Sequence, residues 1–186
     1  MPLEELLARG EPVPILRWGH PVLHRPARPV TAFDADLWDL LATLFATNRA
    51  AHGAGLAAGQ IGVDLAVFVY DCEDAGGRRR QGLVCNPRIA QLPDPQRDVD
   101  LEGCLSLPGA LVPLARPDTA VCRGQYQFGQ PITVRGTGVL ARCLQHEVDH
   151  LDGVVLEDHL TARERRDLRR QHARAADDYH ERWPAD

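Results

Sequence analysis

The stretch Gln145-His146-Glu147-Val148-Asp149-His150-Leu151-Asp152-Gly153 carries a His-Glu-x-x-His spacing. Residues four apart share one face of an α-helix, so His146 and His150 can aim ring nitrogens at a single metal ion. Glu147 stands beside the first of them, within reach of a water at that ion, as a general base requires. The competing reading is two histidines on a charged surface helix. Leu140, Cys143, Leu144 and Leu151 argue against it, because they fall at helical spacing around the motif and mark a packed helix.

That helix is expected from about Gly138 to Leu151, stopped by Gly153. Other segments must bring partners to it. Residues 11–30 hold Pro12, Pro14, Pro21, Pro26 and Pro29, which disfavour helix and predict an extended wrap anchored by Ile15, Leu16, Val22 and Leu23. Asp34 caps a first long helix ending near Ala51, with Leu37, Leu41, Leu44 and Phe45 as its core face. A small-residue loop follows, Gly53-Ala54-Gly55-Leu56-Ala57-Ala58-Gly59-Gln60-Ile61-Gly62, suited to close backbone approach to a ligand. Gln60 is its one side-chain hydrogen-bond donor. No Gly-Lys-Ser/Thr follows, so it is not a phosphate loop of that type.

The middle of the chain reads as antiparallel β. Strands are expected at Leu65–Tyr70, Gly82–Ile89, Leu111–Leu114, Thr119–Gln127 and Ile132–Val134. Loops are expected over 71–81 and 92–98, and an extended Val99–Leu107 with a kink at Gly103. After the motif helix, Val154–Leu156 is expected extended. Thr161-x-x-Glu164 then opens a last helix to about Arg182, with Leu168 as nearly its only aliphatic anchor. Such a polar helix belongs on the surface or projects from it.

The 186 residues suit one domain with a sizeable core, and the composition (44% hydrophobic, 25% charged) is that of a soluble globular protein. The first ten residues place Glu4 and Glu5 within their only apolar patch, unlike a secretory signal, so a cytoplasmic location is expected. Net charge is −5 and pI about 5.9, which disfavours bulk attraction to nucleic acid, and no DNA partner is expected. All 21 basic residues are Arg. Five cysteines (72, 85, 104, 122, 143) at irregular spacings do not read as a disulfide framework.

Two histidines leave a metal under-coordinated, since catalytic sites usually hold three protein ligands and one open position. Leu156 stands where a longer version of the motif would place a third histidine. Glu157 lies too near the extended exit, and Glu164 reads better as a helix cap. Cys104 is the better candidate, after Gly103 and before Ser106 and Pro108, although composition alone reads it as a small buried apolar residue.

Three blocks occur in order: Gly53-Ala54-Gly55-Leu56-Ala57-Ala58-Gly59-Gln60, Glu102-Gly103-Cys104-Leu105-Ser106 and Gln145-His146-Glu147-Val148-Asp149-His150. Together they closely resemble the peptide deformylases, as does the opening Ile15-Leu16-Arg17 to Pro29-Val30. The likeness covers most of residues 14–160. It implies an α+β fold, with antiparallel β-sheets packed around the central metal-binding motif helix and a C-terminal surface helix. Residues 1–160 would form the catalytic domain and 161–186 a helical tail. The implied activity is hydrolysis of the N-formyl group from the initiator methionine of nascent polypeptides, releasing formate.

By the same likeness Cys104, His146 and His150 are metal ligands and Glu147 the general acid/base. Gln60 and the Leu105 backbone N–H form the oxyanion site, and Ala54 and Gly55 pair with the substrate backbone. The resemblance points to Fe2+ as native metal, with Zn2+, Ni2+ or Co2+ as substitutes. It makes the ribosome near the exit tunnel a candidate partner of the Arg-rich tail, whose interleaved acids also read as a solvated helix face. One departure is the apolar run Gly109–Leu114, where the family often has a polar or basic residue gripping the peptide. Arg116 is a candidate partner for Glu102 or Asp149. Two other readings compete: a protease cutting internal peptide bonds, and a non-catalytic binder of nascent chains.

Overall fold

The computed structural model describes residues 1–185. Its elements are α1 (Leu3–Ala8), α2 (Ala35–Ala50), β1 (Gly55–Ala57), β2 (Val67–Glu73), β3 (Arg79–Ile89), β4 (Arg97–Gly103), β5 (Leu111–Pro117), β6 (Thr119–Gln125), β7 (Pro131–Thr137), α3 (Val139–Leu151) and α4 (Ala162–Arg174). Every strand pair is antiparallel. Five strands form one sheet in the order β1-β2-β3-β6-β7, and β4-β5 form a separate two-stranded sheet.

The alternation of side chains along β2 and β3 splits the core into two layers. Val67, Val69, Leu83 and Cys85 join Leu37, Leu41, Leu44 and Phe45 of α2. Phe68, Tyr70 and Val84 face the other way, onto Leu140, Ala141, Leu144 and Val148 of α3. The large sheet is therefore held between two helices, and α3 is pressed against its inner face. A third cluster joins Cys104, Leu107 and Val112 to Leu156, Leu160 and Leu168, tying the small sheet to α4.

Several expected boundaries move. The small-residue loop contains β1 and a 3-10 turn, Ala58–Ile61, because β1 pairs with β2 in the register Leu56↔Val69. The Val99–Leu107 segment is a strand only to Gly103; a Leu107 N–Cys104 O bond of 2.8 Å closes a turn right after Cys104. The 71–81 loop shrinks, since β2 and β3 pair out to Glu73↔Arg79. Leu156 opens a 3-10 turn rather than extended chain, and the proline-rich wrap contains another at Pro21–His24. α1 was not expected at all. The last helix ends at Arg174, not Arg182, and residues beyond it turn back onto the body.

The proline-rich segment wraps the domain and clamps both loops that flank the motif helix. Leu16 N donates to Gln60 O at 2.8 Å, and Trp18 N donates to Ser106 O at 3.0 Å.

Candidate active site

α3 buries ten of its thirteen residues, His146, Glu147 and His150 among them. The helix has no room to rotate, because Leu140, Leu144 and Leu151 are fixed in the core beneath it. His146 and His150 lie with ring centroids 4.8 Å apart. The turn after β4 brings Cys104 over them: its Sγ is 3.2 Å from His150 Nε2. One donor atom each from Cys104, His146 and His150 falls within 4.8 Å of the others.

His146 is oriented by a carboxylate. Its Nδ1 is 2.8 Å from Glu102 Oε1, which leaves Nε2 for the cleft, the arrangement metal-binding histidines usually have. Glu102 is in turn gripped from two sides. Arg116 donates from Nε and Nη2 at 2.8 and 2.7 Å, and Arg142 Nη1 donates at 3.0 Å. Arg116 also reaches Asp149 Oδ2 at 2.9 Å. The expected Arg116 pairing is thus a buried, forked one with both acids, not an ordinary surface contact.

Charge follows this geometry. Burial pushes the Glu102 carboxyl up, but His146 and Arg116 outweigh it and hold Glu102 well below the carboxylate range. Burial likewise raises the Cys104 thiol, yet the two imidazoles beside it bring it well below its ordinary value. His146 moves well above its usual value: burial opposes protonation, and Cys104 and Glu102 overcome it. A buried thiolate and a carboxylate thus surround the space between the imidazoles and favour positive charge there. One sulfur and two imidazoles are a donor set suited to a divalent transition metal, so the residues fit such an ion.

Glu147 sits apart from this network. Burial raises it to about 7 despite the histidines nearby, and its Oε2 is buried with no hydrogen-bond partner among the described residues. An acid poised near neutrality with an uncommitted oxygen suits proton transfer. β1 approaches it closely. A Cβ on Gly55 would lie 2.7 Å from Glu147 Oε1 and 2.6 Å from Cys143 Sγ, so only glycine fits.

Gln60 is buried with Oε1 accepting from Ala57 N at 2.9 Å, which turns Nε2 toward Ser106 Oγ at 3.3 Å and Cys104 Sγ at 3.8 Å. Gln60, Ala54, Gly55, Leu105, Cys104, His146 and Glu147 all line one cleft of about 540 Å³. Three further groups of cleft residues escaped the sequence reading. Glu102 precedes the Gly103-Cys104 pair directly and was read only as a partner of Arg116. Arg142 stands four residues before His146, a spacing that puts it on the same helix face. Gln171, Tyr179 and Trp183 of the C-terminal segment carry no periodic signal.

A family model described as polypeptide deformylase matches residues 12–166. The chain belongs to the peptide deformylase family. It is 56% identical over 167 residues to peptide deformylase 1 of Streptomyces avermitilis, covering 89% of this chain and 77% of that one. It is 49% identical over 174 residues to peptide deformylase 2 of Streptomyces coelicolor, covering 91% and 94%. Among solved structures, the Legionella pneumophila peptide deformylase superposes with a TM-score of 0.79 at 36% identity, covering 88% of this chain and 94% of that one. The Ehrlichia chaffeensis peptide deformylase in complex with actinonin gives 0.80 at 28% identity, covering 88% and 97%. The α+β architecture is the deformylase architecture. The chain is a metal-dependent deformylase that removes the N-formyl group from nascent peptides.

Proposed function

We propose that Cys104, His146 and His150 hold the deformylase metal, that Glu147 is the general acid/base, and that Gln60 and the Leu105 N–H stabilise the developing oxyanion. The observation that carries this reading is the meeting of one sulfur and two imidazoles within 4.8 Å, with Glu147 adjacent in the chain and in the same cleft. When bound, the ion supplies Lewis acidity that activates water and polarises a carbonyl. Glu147 accepts the proton of the attacking water and returns it to the departing amine. Gln60 Nε2, turned toward Cys104 by its own bond to Ala57, donates to the formyl oxygen as charge grows there. Ala54 and Gly55 pair with the peptide backbone, and the absence of a side chain on Gly55 lets β1 lie directly against Glu147 and Cys143.

The products are formate and a peptide with a free methionine amine. Iron(II) is the proposed native metal, with zinc, nickel or cobalt as substitutes, since imidazole with thiolate accepts all of these. Metal analysis of protein purified without oxygen tests that identity. We also propose a cytoplasmic setting; no described helix is long and apolar enough to cross a membrane. Residues 1–160 are proposed as the catalytic unit and 161–186 as a C-terminal tail, whose last residue, Asp186, lies outside the described residues. Arg163, Arg166 and Arg174 stand exposed on α4 and support ribosome docking near the exit tunnel.

Formate release from formyl-Met-Ala-Ser, run beside digestion of unformylated casein, tests the activity. Formate without casein cleavage is expected. Casein cleavage would favour the protease reading, and neither product would favour a non-catalytic binder.

A further inference from the structure

The cleft has a wall beyond the family-matched span. Gln171, Tyr179 and Trp183 line it, and all three follow residue 166, where that match ends. The segment is held by a set of specific contacts. The Gln171 side-chain amide makes reciprocal bonds with Leu111: Leu111 N donates to Oε1 at 3.1 Å and Nε2 donates to Leu111 O at 3.0 Å. His172 Nδ1 lies 2.8 Å from Pro108 O. Ile15 N donates to Trp183 O at 3.0 Å, and Arg17 Nη2 donates to Tyr179 O at 2.9 Å and His180 O at 3.1 Å.

Tyr179 and Trp183 stack edge to face with centroids 5.0 Å apart, and the Arg17 guanidinium lies over the Trp183 ring. Gly109 makes their approach possible. Its φ is +77°, and a Cβ there would collide with Ala175 and lie 3.0 Å from Tyr179 Cε2.

These are the only two aromatic rings of Phe, Tyr or Trp type in a tail otherwise crowded with Arg, Asp and Glu. Both are half-buried and both border the cleft. The cleft is larger than a formyl group needs, while Gly55 leaves no spare volume beside Glu147 and Cys143. Peptide beyond the reacting end must therefore use the rest of the cleft, of which Tyr179 and Trp183 form one border. The cleft lining also includes the apolar Leu105, Pro108 and Ala51, with Ala51, Leu105 and Trp183 in one apolar cluster, and Arg17 is engaged by backbone carbonyls.

We propose that Tyr179 and Trp183 form a specificity-determining wall that receives an apolar side chain of the nascent peptide downstream of its formyl-methionine. The inference rests on the proposed roles of Cys104, His146 and His150, which fix the reacting end. The test measures kcat and KM of the metal-loaded protein on formyl-Met-Leu-Leu and formyl-Met-Ser-Ser. The wild type is expected to prefer the apolar peptide. Tyr179→Ala and Trp183→Ala are expected to lower that preference by roughly 10-fold, mainly through KM. Tyr179→Phe should retain it, and Arg123→Ala, exposed on β6 and outside the cleft, should leave it unchanged.

Thermal melts confirm that each variant is folded; if Trp183→Ala is not, the two Tyr179 variants carry the test. An unchanged preference in folded variants, an equal loss on both peptides, or a wild type indifferent to the two would overturn the inference alone. A wild type that releases formate from neither peptide would instead overturn the catalytic roles beneath it.

Discussion

α3 and the C-terminal segment border the same cleft and are held there differently. α3 buries ten of its thirteen residues, and its chemical side chains are braced by a second layer: Glu102 on His146, then Arg116 and Arg142 on Glu102. α4 buries Leu168 alone, and the chain after it is fixed by a few hydrogen bonds, two stacked rings and one glycine. Reacting groups need fixed positions, because misplacement of an ångström is felt strongly in rate. A wall that meets variable peptide can be held more lightly. Chemistry and selectivity are thus assigned to regions of different stiffness.

Four outcomes probe that division, in descending size. Glu147→Ala is expected to reduce formate release by about 10²–10⁴-fold while metal content, read by elemental analysis, stays near that of the wild type. A variant that turns over normally would remove Glu147 from its role. Arg116→Ala removes the cation that Glu102 and Asp149 share, leaving Arg142 and His146 on Glu102 and His159 on Asp149, and should lower unfolding stability by about 2–3 kcal/mol in urea titrations. A loss under 1 kcal/mol would mean that the network is not a structural brace.

Acid should expose the same brace. Glu102 is held below its unfolded value, about 4.3. Its contribution is therefore complete above that pH and is lost as pH falls toward the depressed folded value. In chelator-stripped protein, stability should drop steeply below about pH 4, and Glu102→Gln should flatten that drop. Gly109→Ala is the smallest: a side chain at φ +77° against Ala175 should cost about 1–3 kcal/mol and loosen the tail without touching α3. Hydrogen exchange should then speed up in residues 175–185 only; faster exchange across α3 would show the two regions to be one unit.

How much of this was legible in the sequence divides along the same line. His146 and His150 could be placed on one face from spacing alone, because helical geometry is local. The five-stranded sheet was readable in its strands but not in its edge: β1 is a strand only because β2 offers it partners, and the three residues Gly55, Leu56 and Ala57 announce nothing. Cys104 needed the family resemblance, since no local rule connects a turn after β4 to a helix some forty residues later. The tail was misread in extent. Its polar composition continues past Arg174 without a break, and the turned-back chain is held by contacts with Arg17 and Gly109, both distant in sequence.

β2 gives alternate side chains to the layers on either side of it, Val67 and Val69 to one, Phe68 and Tyr70 to the other. A strand shared in this way cannot let go of one layer and keep its grip on the second. The floor under the histidines should accordingly melt only when everything melts, leaving thermal inactivation and global denaturation to trace a single curve.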